Sequence, residues 1–151
     1  MLPDEPSVIL AILSAGAFLL IGLLTGIWKY IAIMRSPEAV APVYVDIAHR
    51  ASLMYAFASQ LLALLAWISA LPSALEFWAT AFPILFFALA VGTYIVHGAL
   101  RDTENQLARP HRLGSRTLPG WMIQGFMISL IIAELGGAAI LFYGAAIALL
   151  G

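Results

Sequence analysis

The stretch Ala51–Leu100, ASLMYAFASQLLALLAWISALPSALEFWATAFPILFFALAVGTYIVHGAL, carries one charge, Glu76. A membrane-spanning helix needs about 20 mainly apolar residues. The stretch has room for two, and Leu71-Pro72-Ser73 marks a tight turn between them. The pattern continues outward on both sides. Pro6 to Trp28 has no charge, and from Thr117 to Gly151 the only charge is Glu134. These gaps predict four transmembrane helices at 7–34, 47–71, 75–100 and 120–149, an all-α integral membrane four-helix bundle built as a single domain over 1–151. No alternation with period two suggests a β-barrel. The first span does not read as a signal peptide, because Asp4 and Glu5 stand where a basic segment would be.

Composition agrees. Of the 151 residues, 63 % are hydrophobic and 10 % charged, with a mean hydropathy of +0.99. A soluble domain averages roughly 45–50 % apolar and about 25 % charged residues. So few charges cannot cover a water-facing surface, and they also argue against disorder. The formal net charge of −1 argues against nucleic-acid binding. With no cysteine, the chain has no disulfide, thiolate metal site, iron–sulfur cluster or thiol nucleophile.

Charge also predicts orientation. All seven Lys and Arg residues, Lys29, Arg35, Arg50, Arg101, Arg109, Arg112 and Arg116, fall at the end that carries the 1–2 and 3–4 loops. The other end has only Asp4, Glu5 and Glu76. The positive-inside rule then puts both loops, including the polar loop 101–120, in the cytoplasm of an inner-membrane protein with both termini outside. Trp28, Trp67, Trp78 and Trp121 lie near helix ends, as an aromatic belt would. Gly22 with Gly26, and Ala133 with Gly137, are small residues at four-residue spacing. They suit close helix packing within the bundle or an oligomer interface.

Polar groups at membrane depth are costly and mark candidate sites. The second helix is expected to open with Asp46 as its N-cap, followed by His49 and then Ser52, Tyr55 and Ser59, with Gln60 alongside. Their spacing keeps His49, Ser52, Tyr55 and Ser59 near one face. The third helix ends with Thr93, Tyr94, His97 and Arg101. The fourth contributes Gln124 and Glu134. Counted along antiparallel helices, His49 and His97 lie at similar depth, with Tyr94 one turn deeper and Lys29, Arg50 and Arg101 at the headgroup boundary. This layer is expected to line a pocket in the cytoplasmic third of the bundle.

Neutral imidazole is a usual metal and haem ligand, so His49 and His97 are the candidate metal ligands. Basic rim residues Lys29, Arg50 and Arg101 suit haem propionates. Tyr94 and Tyr55 are the candidate catalytic phenols. The alternative for each imidazole is a boundary histidine bonded to backbone or headgroup, and for each phenol an interfacial aromatic. Glu134 reads as protonated or paired with a helix neighbour, or else as a proton relay. His111, in a polar loop, is assigned no role. No nucleophilic triad, P-loop or dinucleotide fingerprint is present.

Three patches carry a family resemblance: Leu23-Leu24-Thr25-Gly26-Ile27-Trp28, Ile47-Ala48-His49-Arg50-Ala51 and Val91-Gly92-Thr93-Tyr94. In this order the chain resembles the small four-helix membrane isomerases typified by styrene oxide isomerase, with hydroxylaminobenzene mutases as relatives. The resemblance implies a trimer binding b-type haem. His49 matches the iron ligand and Tyr94 a pocket tyrosine. The resemblance further implies that ferric iron would coordinate an epoxide oxygen and that a 1,2-hydride shift would give an aldehyde. The family has an asparagine where this chain has Tyr55, and His97 is a second departure, a candidate distal ligand.

Three functions follow as expectations. One is a haem-dependent isomerase of a small hydrophobic substrate. The second is a bis-histidine haem protein for electron transfer. The third is a haem-free accessory or transport bundle using Glu134 and the histidine layer.

Overall fold

The structure, a computed structural model, describes residues 4–151, so the first three residues of the unit expected over 1–151 lie outside it. Four long helices account for the architecture: α1 (Pro6–Arg35), α2 (Val43–Ile68), α3 (Ser73–Leu100) and α4 (Gly120–Leu150). Each is long and apolar enough to cross a membrane. The chain is an all-α, multi-pass four-helix bundle, as its charge-free stretches predict.

The helix ends differ from expectation mainly at α2. It begins at Val43, with Pro42 at the N-cap, rather than at Ile47 with Asp46 as cap. Proline's fixed φ suits the entrance to a helix, and no side chain caps this end. Asp46, already inside the first turn, instead pairs with Lys29 at 2.6 Å and Arg50 at 2.7 Å. The α2–α3 connection is correspondingly earlier, at residues 69–72.

α1 and α2 share the most extensive seam, and α4 packs mainly on α3. The core runs through Val8, Ala11 and Phe18 of α1, Ala56, Leu62 and Ala66 of α2, Ile84, Phe87 and Val91 of α3, and Leu141 of α4. Small residues allow the helices to approach. Gly22 faces Leu53, and Gly137 lies against the Ala79 carbonyl and the Pro83 ring. The glycine spacing therefore serves packing within the bundle.

Loop 101–119 contains a short hairpin, β1 (Arg112–Leu113) with β2 (Arg116–Thr117), that the sequence reading did not include. Gly114, at φ +60°, and Ser115 form its two-residue turn.

Candidate functional site

The α1–α2 seam holds His49. Its ring lies against Gly26, where an added Cβ would sit 2.9 Å from Cε1 and 3.0 Å from Nδ1. Its Nδ1 is 2.8 Å from the Gly22 carbonyl oxygen. A carbonyl only accepts, so Nδ1 donates, and the neutral form of the ring would carry its lone pair on Nε2. Backbone bonding thus accounts for one nitrogen. The hydrogen bonds among the described residues leave Nε2 unused. An orienting bond of this kind, fixing tautomer and ring angle, is how ligating histidines are held.

His97 sits elsewhere. It is buried, donates from Nδ1 to Asp102 at 2.7 Å, and packs on Tyr44 with ring centroids 5.2 Å apart. Asp102 also accepts from the Gly114 amide in the hairpin. Burial opposes the Asp102 charge, but the Gly114 amide, the His97 hydrogen bond and the His97 charge outweigh it and hold the carboxyl below the usual range. Tyr44 accepts from the Gln106 amide and stacks on Tyr94 at 6.0 Å. His111, buried and without an assigned role, donates to the Gln106 carbonyl at 3.2 Å. These contacts tie loop 101–119 down over the basic end of the bundle.

A helix turns about 100° per residue, so His49 lies about 140° around α2 from Tyr44, the neighbour of His97. The two imidazoles face different sides of the helix. The same drift separates His49 from Tyr55, because each three-residue step turns back by about 60°. Tyr55 stacks on Phe87 of α3 at 4.2 Å, with Phe18 of α1 closing the cluster. The expected single pocket is divided between the α1–α2 seam and the α2–α3 face.

Deeper in the bundle, buried hydroxyls are satisfied by their own helices. Ser52 donates to the Ala48 carbonyl, Thr80 to that of Glu76, and Thr25 to those of Ile21 and Gly22. Ser59 Oγ and Glu134 Oε1 are the exceptions: both are buried without a partner among the described residues. Glu134 lies in electrostatic reach of Tyr55 and Tyr94.

Of the cations assigned to propionates, Lys29 and Arg50 share Asp46 beside His49. Arg101 instead lines a cavity together with Arg35 and Trp28. Tyr44, Asp102 and the Gly22 carbonyl were missed from sequence. Only Tyr44, at the entrance of α2 and 11 residues before Tyr55 on the same side, left a periodic signal. Among the described residues no three His, Asp or Glu side chains form a metal-ion cage. A porphyrin, which brings four nitrogens of its own, asks only one or two ligands of a protein. Comparison with models of known protein families, with curated proteins and with solved structures returns no match.

Proposed function

We propose that the chain is a haem-dependent membrane isomerase of a small hydrophobic substrate, rearranging an epoxide to an aldehyde or running a reaction of that type. The observation that carries the reading is the seating of His49, with Nδ1 committed to Gly22, Gly26 against the ring, and Nε2 without a hydrogen-bond partner among the described residues. The family-like patches support it. Gly26 of the first lies against His49 of the second, and Trp28 touches Gly98, one turn beyond Tyr94 of the third.

The residues present fit a b-type haem. His49 Nε2 would hold the iron. Lys29 and Arg50 each give one contact to Asp46 and keep further N–H donors for propionates. A ferric haem supplies a Lewis-acidic position for a substrate oxygen. The chain supplies the rest. The Gly22 carbonyl keeps the Nδ1 proton in place and with it the ring orientation. The resemblance gives the positions of Tyr94 and Tyr55 the task of orienting the oxygen, although both lie on the α2–α3 face and not in the His49 seam. Apolar helix faces exclude water, which would otherwise trap a cation-like carbon. Isomerisation moves one hydride within the substrate and needs no co-reactant. The reading also includes a homo-oligomer, a trimer by resemblance, in the inner membrane with loops 36–42 and 101–119 in the cytoplasm.

The electron-transfer alternative draws less support, since His49 and His97 face different sides of α2 and His97 Nδ1 is held by Asp102. A haem-free bundle moving protons has one observation in its favour, the partnerless Glu134 Oε1. Turnover separates the readings. Purified protein given an aryl epoxide should form the aldehyde without nucleotide cofactor, and His49→Ala should abolish the reaction. Haem-loaded protein that leaves a panel of epoxides and aryl hydroxylamines untouched would remove the isomerase reading.

A further inference from the structure

We infer that a second site, a cavity of about 310 Å³ at the basic end of the bundle, binds the phosphate of an anionic membrane lipid. Trp28, Ile31, Ala32 and Arg35 line it from one face of α1, Pro42 closes the entrance of α2, and Arg101 closes the end of α3. This inference does not rest on the haem reading.

Three observations carry it. First, neither Arg35 nor Arg101 has a carboxylate partner among the described residues, whereas Lys29 and Arg50 in the same layer both have Asp46. The plain role for the two arginines is to balance the helix ends beside them, and magnitudes decide against that as a complete account. The C-termini of α1 and α3 each bring about half a negative charge, and the N-terminus of α2 about half a positive one. Two guanidinium groups therefore leave a surplus of about one and a half positive charges at these helix ends, and exposed Glu38 in the adjoining loop still leaves it positive by about half a charge.

Second, Arg101 has φ 51° and ψ 38°, the left-handed conformation at which helices normally place glycine. A residue with a side chain is disfavoured there. Arginine at this position brings a guanidinium to a cavity wall that glycine would leave bare.

Third, the cavity is two-sided. Trp28, Ile31 and Ala32 give an apolar wall continuous with the membrane-facing helix, and the arginines give a polar rim. A phosphodiester with acyl chains satisfies both sides, and arginine's fork matches phosphate oxygens. Free phosphate would satisfy only the rim.

The test uses the full chain in detergent. Retention of phosphatidylglycerol is compared with that of phosphatidylcholine of the same acyl chains, by native mass spectrometry, with haem content read in parallel. Wild type should retain phosphatidylglycerol about tenfold over phosphatidylcholine. The double variant Arg35→Gln/Arg101→Gln should lose that preference, and Arg116→Gln, in the hairpin, should keep it. Should the double variant not fold, each single variant should lower the preference, and phosphatidylglycerol should raise the melting temperature of wild type only. Equal retention of the two lipids by wild type, or an unchanged preference in the arginine variants, overturns the site. Displacement by millimolar inorganic phosphate would assign it to a free anion instead of a lipid. Loss of haem with lipid preference intact would assign the arginines to the propionates, against the inference.

Discussion

His49 holds the Gly22 carbonyl through Nδ1, and the proposal that Nε2 holds the iron can be tested at the glycine beside the ring. Gly26→Val would push branched carbons into a ring already 2.9 Å from a single added Cβ. We expect it to lower haem content nearly as far as His49→Ala. Gly16→Ala, where an added Cβ meets nothing within 4 Å, should leave haem content at the wild-type level. Equal haem in all three variants would show that the seam does not hold the cofactor. Tyr94→Phe removes one hydrogen-bond donor and should slow turnover on the order of 10²-fold with haem retained, by analogy with loss of a donor to a reacting oxygen. An unchanged rate would take Tyr94 out of the reaction. His49 was legible from sequence because an ionisable group at membrane depth stands out. Its partner was not, because a backbone carbonyl on another helix leaves no mark in side-chain spacing. The same limit explains why His49, His97 and Tyr55 read as one layer. Depth follows from counting residues along a helix, whereas azimuth accumulates rotation, and the turn of about 140° between Tyr44 and His49 separates them.

At the scale of elements, α3 and α4 meet through an exchange of small surfaces. Pro83 cannot donate to the carbonyl four residues back, that of Ala79, and Gly137 packs against both. Close backbone approach of this kind is how membrane helices accommodate proline. Gly137→Leu should force the pair apart and lower the melting temperature in detergent, while Gly125→Ala, in open space on the same helix, should not. The loop over the basic end depends on Asp102. Its folded carboxyl lies below the unfolded value of about 3.9, held there by Gly114 and His97 against the cost of burial. That contribution is fully present above the unfolded value and is lost as pH falls through the folded one. Wild type should therefore show an acid-induced increase in proteolysis of loop 101–119, and Asp102→Asn should make the loop sensitive already at neutral pH, by about 2 kcal/mol of lost charged hydrogen bonding. A cleavage rate independent of both pH and the substitution would contradict this. The long helices were legible because twenty uncharged residues have few other readings. The hairpin was overlooked although Gly114-Ser115 is a permitted two-residue turn. The α2 start was misplaced because Asp46 resembles a cap, while Lys29 and Arg50, its actual partners, are brought to it only by packing.

For the whole molecule, composition alone is decisive about class: 10 % charged residues cannot solvate the surface of a globule, and the four helices follow. Orientation rests on the seven-to-none distribution of Lys and Arg, and the absence of cysteine makes it directly measurable. Ser115→Cys, in the hairpin, should react with a membrane-impermeant thiol reagent only after cells are opened, and Ala74→Cys, at the other end of α3, should react in intact cells. The reverse pattern would invert the topology. Function does not follow from composition in this way, because one bundle can house a cofactor, a proton path or neither. The account as a whole turns on an iron porphyrin at His49. Its most direct test is the absorption spectrum of wild-type and His49→Ala protein expressed with haem supplied and extracted in mild detergent. We expect a Soret band in the wild type that is lost in the variant. A colourless wild type, or a band that His49→Ala leaves untouched, would contradict it.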